Sequence, residues 1–307
     1  MTRFRIVAGP HTVLGEGPIW DVVEERLYWL DSVQGTILRC DAVGGELDVW
    51  DLPGPVGAMA LRESGGALLT LATGFHLFDF GSGELTPIAD PESGRASRFN
   101  DGKVDRQGRF VTGSMEDTLI DPASSWLVGK IEAGSSLYRV DTDLTVQRIQ
   151  GDIGITNGPC FSPDGTTMYV SDSWRDEIQA FDYDAASGTV SRPRTFASWE
   201  KDKGSTGLAQ PDGATVDSEG YLWSVAVYAG EIRRYAPDGT LDRRIFTPVL
   251  KPTSVAFGGP DLDILYVTTM ANPPLPMTLP PDGPIAGSLL ALHGLGVQGI
   301  AERRFAG

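Results

Sequence analysis

The chain has little histidine, little cysteine and a deficit of positive charge, and each shortage removes a class of function. Three histidines, His11, His76 and His293, are scattered over 307 residues. That disfavours a His-based zinc centre and a Ser-His-Asp hydrolase, which needs a well-placed imidazole. Two cysteines, Cys40 and Cys160, sit in strand-like runs far apart, which argues against a disulfide framework and for a reducing compartment. Lysine and arginine number 25 against 41 acidic residues, a net charge of -16, so nucleic acid is a poor partner. No apolar run approaches the roughly 20 residues that span a bilayer, and no membrane partner is expected. The N-terminal MTRFRIVAGP lacks the basic, apolar and small-residue parts of a secretory signal, and a cytoplasmic protein is expected. Long stretches with apolar residues at helical spacing are missing as well.

What is abundant is turn-forming residues, 38 glycines and 21 prolines, in a chain that is 41% hydrophobic. The stretch QPDGATVDSEGYLWSVAV at 210–227 reads as a strand, an acidic turn and a returning strand, because β-formers flank Asp, Ser, Glu and Gly. It recurs as EGPIWDVVEERLYWLD from 16, GAMALRESGGALLTLA from 57, NDGKVDRQGRFVTGSM from 100, NGPCFSPDGTTMYVSD from 157 and TSVAFGGPDLDILYVTT from 253. Each copy is followed by a second pair of strand-like runs, and successive copies are 41, 43, 57, 55 and 41 residues apart, near the roughly 40 to 50 residues of a four-stranded propeller blade. The expected fold is therefore all-β: one six-bladed β-propeller domain over 1–307, with four-stranded blades. Two β-sandwiches would leave the six-fold recurrence unexplained. A ring needs its ends joined, since an open sheet edge invites aggregation. The run at 4–8 has no partner in the first repeat, so it is predicted to complete the sixth blade beside the C-terminal segment 299–305.

The residues aligned with Asp212 are Glu16, Gly57, Asn100, Asn157 and Thr253. The first strand of each blade lines the central channel, so the five polar residues of this set are predicted to converge at one mouth. Turns favour such residues anyway, but buried carboxylates without a partner are costly, and a cation is the simplest partner. Glu16, Asn157 and Asp212 offer oxygen ligands suited to calcium or magnesium, with manganese, iron or zinc as other choices. Strand direction places the connections 31–36, 73–75, 116–135, 172–176, 228–230 and 271–287 over that mouth. The long ones, 116–135 with Trp126 and 271–287 with NPPLPMTLPPDGP, are candidates for walls or a lid. Trp20, Trp29, Trp223 and Tyr169 lie within strands and are assigned to the core.

LGEGPIW at 14–20, SRFNDGKVDRQGRFVTGSM at 97–115, ITNGPCFSPDG at 155–165, QPDGATVDSEGYLW at 210–223 and the tail at 294–307 resemble the regucalcin and gluconolactonase family of metal-dependent sugar lactonases. The resemblance runs nearly end to end. It implies a six-bladed propeller with one divalent ion held by Glu16, Asn157 and Asp212, and sugar contacts at Arg98 and Asn100. An acidic third contact of some members falls by strict counting on Thr118, with Glu116 and Asp117 just before it; Glu116 is the candidate kept.

The implied reaction is hydrolysis of a sugar lactone to its sugar acid, which needs a polarised carbonyl, an activated water and a stabilised oxyanion. A divalent ion polarises the carbonyl, and Asp212 is the candidate general base, because a ligand carboxylate lies next to the water. A metal-dependent phosphotriesterase and a non-enzymatic calcium-binding propeller are the alternatives. A small sugar lactone is the expected partner, and a monomer suffices for this chemistry.

Overall fold

The computed structural model describes residues 2–9, 11–116, 134–204, 206–271 and 282–307. Six antiparallel sheets of four strands each follow one another round a ring, the six-bladed β-propeller that the repeats predict. In blade 5 the strands Gln210–Val216, Leu222–Val227 and Glu231–Tyr235 are buried along nearly their whole length, whereas the outermost, Leu241–Phe246, is exposed at every second residue. Neighbouring blades cover both faces of the first three strands, so these read as continuous apolar runs; the outer strand has water on one side and alternates.

The interior is correspondingly divided. One apolar cluster fills each gap between adjacent blades: Trp20 and Leu27 of blade 1 pack with Tyr266 of blade 6, and Phe99 and Phe110 of blade 3 with Phe75 of blade 2. Trp20, Trp29, Trp223 and Tyr169 are all buried within these clusters, as expected for large rings that bury about 150 to 250 Å² each. Cys40 and Cys160 are buried and unpaired. Among the described residues no helix is long and apolar enough to cross a membrane.

The ring closes through the N-terminus. Arg3–Ala8 pairs antiparallel with Leu289–His293, with Ile6 opposite Leu290, and forms the outer strand of blade 6. The C-terminal segment does not lie beside it, contrary to expectation. With the outer position taken, residues 298–307 cross the far end of the channel instead. Gly299 bridges to Asp217 and Phe305 to Arg62, Phe305 is fully buried in the core between blades 2 and 3, and Ala306 N donates to Gly108 O at 2.9 Å. Burial of Phe305 alone contributes about 1.5 to 3 kcal/mol to holding this plug.

Each inner strand carries a register shift at the same depth, between Glu16 and Ile19, Val56 and Met59, Phe99 and Gly102, Asn157 and Cys160, Pro211 and Ala214, and Pro252 and Ser254. A bulge of this kind bends the strand and re-aims the preceding side chain. It also explains the polar-residue-then-glycine pattern. Gly17 and Gly158 adopt φ of 52° and 51°, and a Cβ on Gly158 would stand 2.8 Å from Asp212 O, so only glycine lets these inner strands approach.

Candidate metal and substrate site

The bulges deliver four of the six aligned residues to one open cleft at the channel mouth: Glu16, Asn100, Asn157 and Asp212 line it, together with Arg98. Thr253 does not join them. It is fully buried, and its hydroxyl donates to Gly15 O at 2.5 Å, tying blade 6 to blade 1. At the sixth position, Gly57 lies against the backbone of Phe99, where a Cβ would come within 2.5 Å of its carbonyl oxygen. Glu116 is also not brought to the cleft. Met115 borders both the cleft and an adjoining hollow, whereas Glu116 lines only the hollow, with Arg95 and Ser97. Asp117, Thr118, Trp126 and most of the two long connections lie outside the described residues.

Neither Glu16 nor Asp212 forms a salt bridge among the described residues. Burial pushes the Asp212 carboxyl well above the usual carboxylate range, the charge of Asp101 pushes it further, and only the Gly213 N–H opposes them. Glu16 is raised in the same way, first by burial and then by Asp212 and Asp101, with Gly17 N–H and Arg98 opposing. A buried Asp212 beside a half-buried Glu16, each raising the cost of ionising the other, is an unfavourable arrangement unless a positive charge joins them.

Beside them runs a hydrogen-bond chain with one possible polarity. Arg98 Nη1 donates to Asn100 Oδ1 at 3.2 Å, Asn100 Nδ2 to Asn157 Oδ1 at 2.6 Å, Asn157 Nδ2 to Ser173 Oγ at 2.8 Å, and Ser173 Oγ to Pro211 O at 2.6 Å. An arginine can only donate and a carbonyl can only accept, so the orientation of both amides follows. Asn157 keeps its oxygen on the side of Asn100, with one lone pair left. Asn100 spends both amide hydrogens, on Asn157 and on Thr156 O at 2.8 Å; its free capacity is as an acceptor, narrower than the donor-and-acceptor role expected of it. Ser173 was not singled out by sequence reasoning, although it lies in a connection placed over the mouth; the signal was there in strand direction and absent from its residue type.

Among the described residues no three His, Cys, Asp or Glu side chains group as metal ligands; the oxygen donors the cleft offers include the two acids and the Asn157 amide. This donor set fits a cation. It is all oxygen, carries two charges, and suits a hard divalent ion. The remaining wall is apolar, with Leu14, Val227, Tyr228 and Met270 packed together. The cleft is open to solvent and has a cavity volume of about 110 Å³.

Residues 14–271 match the model of the SMP-30/gluconolactonase/LRE-like region. Over 300 residues the chain is 38% identical to 6-deoxy-6-sulfogluconolactonase of Pseudomonas putida, covering 96% of each chain. It is 34% identical over 304 residues to L-arabinolactonase of Azospirillum brasilense, covering 98% of this chain and 95% of the other. The solved structure of a calcium-binding protein, regucalcin from Agrobacterium tumefaciens, superposes with a TM-score of 0.86 at 27% identity, covering 99% of this chain and 97% of that one. The chain belongs to the SMP-30/gluconolactonase/LRE-like family.

Proposed function

We propose that this protein hydrolyses a sugar lactone to the corresponding sugar acid, with a divalent cation held by Glu16, Asn157 and Asp212 and with Asp212 as the general base. The observation that carries this reading is the pair of acids, Asp212 buried and Glu16 half-buried, that form no salt bridge among the described residues and share one cleft with the Asn157 amide, whose oxygen accepts from Asn100 and whose nitrogen donates to Ser173. Relatives aligned over nearly the whole chain are named as lactonases acting on a sulfogluconolactone and on L-arabinolactone, which points the chemistry toward sugar lactones rather than phosphotriesters.

When bound, the ion acts as a Lewis acid that polarises the ester carbonyl. The other tasks fall to the chain. Asp212 takes a proton from the attacking water and returns it to the ring oxygen that leaves, a transfer typically worth about 10²- to 10⁴-fold. Arg98 presents donors to sugar oxygens, and Asn100 Oδ1 accepts from a sugar hydroxyl. The Arg98–Asn100–Asn157–Ser173 chain keeps these groups in register with the ligand amide, so sugar position and ligand geometry are coupled.

The likeness to a calcium-binding protein, regucalcin, favours calcium as the ion, and it also favours a second reading, a binding propeller without turnover. Protein stripped with chelator and reloaded with calcium, magnesium, manganese, iron or zinc, then assayed on 1,4- and 1,5-aldonolactones, separates the two. Turnover that requires reloading supports the lactonase; ion-dependent melting with no turnover of any lactone supports the binding protein and ends the proposal.

A further inference from the structure

Tyr228 has a backbone conformation that the propeller repeat does not require. In blades 1, 4 and 5 the second and third strands are joined by connections of equal length, because Asp31 pairs with Thr36, Asp172 with Glu177 and Ala226 with Glu231. The equivalent second loop residues are Val33, Trp174 and Tyr228. Only Tyr228 is left-handed, with φ of 67°. A bulky residue there costs about 1 to 3 kcal/mol and persists only where its surroundings hold it.

The local cause is a missing aspartate. Asp31 caps its connection by accepting from Gln34 N at 3.2 Å and Val13 N at 2.7 Å. Asp172 does the same for Arg175 N at 3.2 Å and Gly154 N at 2.9 Å. Ala226 cannot. Blade 5 uses the segment before it instead: Thr206 Oγ1 donates to Tyr228 O at 2.8 Å, and Gly204 packs so closely on Ala229 that a Cβ would meet its side chain at 2.7 Å. The result turns the Tyr228 ring into the cleft, against Leu14, Val227 and Met270.

The hydroxyl at the end of that ring has no hydrogen bond among the described residues. Ser173, the other cleft hydroxyl, has already given its hydrogen to Pro211 O. The hydroxyl oxygen is not among the sealed-off polar atoms without a partner, so a phenol held in a strained conformation on the wall of the cleft is open to a ligand that arrives. The phenol lies within reach of the charges of Asp212 and Glu16. Burial and then those two charges push its ionisation up, so it remains a neutral donor at working pH.

We propose that Tyr228 is a catalytic residue for lactone hydrolysis, donating a hydrogen bond to the lactone carbonyl oxygen as that oxygen takes up negative charge. This rests on the lactonase reading above. Water oxygen adds to the carbonyl carbon and its proton passes to Asp212, while the carbonyl π pair becomes the oxyanion that Tyr228 receives. On collapse the carbonyl reforms, the ring C–O bond breaks, and the proton moves from Asp212 to the departing oxygen. Water is the one co-reactant, and Tyr228 keeps its own proton throughout. Thr206 is then a positioning residue acting through the Tyr228 backbone.

The test is Tyr228→Phe in the metal-loaded protein, with kcat and KM on a hydrolysed aldonolactone, calorimetric titration of the divalent ion, and thermal melting. Removing one oxyanion donor costs about 10²- to 10³-fold in kcat. The expected result is a fall of that order with KM, ion affinity and Tm unchanged, and a smaller fall in kcat for Thr206→Val. An unchanged kcat, a loss confined to KM, or a loss of ion affinity in Tyr228→Phe each overturns the proposal. Wild-type protein that turns over no lactone under the same conditions overturns the lactonase reading and this one with it; wild-type turnover with an undiminished Phe variant overturns this one alone.

Discussion

The two ends of the central channel are built from the same six inner strands and treat their acids in opposite ways. At the far end Asp217 accepts from Arg234 Nη2 at 2.6 Å and from Trp223 Nε1 at 2.8 Å, and Asp105 from Arg109 Nε at 2.6 Å and the Tyr183 hydroxyl at 2.7 Å. The tail adds Arg304 to Asp21 at 2.5 Å and Glu302 to Lys103 at 3.0 Å. Five residues up the same strands, Glu16 and Asp212 have no such cation among the described residues. The fold pairs these buried acids with cations at the far end; at the mouth it leaves Glu16 and Asp212 for the proposed ligand.

That contrast is broken or sharpened by substitutions along one strand. The largest expected effect is on turnover: Asp212→Ala removes the base and a ligand together, and a lactone assay should show a loss of at least about 10²- to 10⁴-fold while circular dichroism shows a folded propeller. Asp217→Ala, five residues away, should do the reverse. It leaves Arg234 with only Glu219 and Asp242 of its three carboxylate partners and strands the Trp223 Nε1 donor, at a cost of about 1 to 3 kcal/mol in denaturant unfolding, with kcat of the folded fraction unchanged. Next is Gly158→Ala, which forces an alanine to a φ of 51° and its Cβ to 2.7 Å from Ala214 N; unfolding should report a loss of about 1 to 3 kcal/mol.

The smallest effect is on the pH dependence of the metal-free protein. Glu16 and Asp212 have folded-state ionisation raised above their ordinary values of 4.5 and 3.8. The stability they contribute is therefore present at pH below those ordinary values and is lost as pH rises through the raised folded ones. Metal-free wild type should become less stable across that window, and Asp212→Asn, with one acid left, should flatten the curve. A wild-type curve as flat as that of the variant would remove the repulsion on which the contrast stands.

Much of this was legible in sequence because the repeat unit is local. The polar residue before glycine marks the bulge in blades 1, 4 and 5, and so Glu16, Asn157 and Asp212 could be named together. The unpartnered run near the N-terminus identified ring closure. What escaped depends on contacts distant in sequence. Residues 299–305 have strand-like composition, and nothing local says that Arg3–Ala8 has already taken the outer place. Thr253 is polar like the others, yet its partner is a backbone carbonyl 238 residues away. The orientation of Asn157 depends on Ser173, a serine like many others until Pro211 fixes where its hydrogen goes.

The central claim is that the mouth holds a divalent cation, and calorimetric titration of calcium into chelator-treated protein tests it most directly, in wild type and in Asp212→Asn with melting followed in parallel. One equivalent bound by wild type, a Tm that rises with the ion, as stabilisation of about 2.7 kcal/mol at 100 times Kd demands, and loss of both in the variant is the predicted result. Wild type that binds none of calcium, magnesium, manganese, iron or zinc, or a variant that binds as well as wild type, would contradict it.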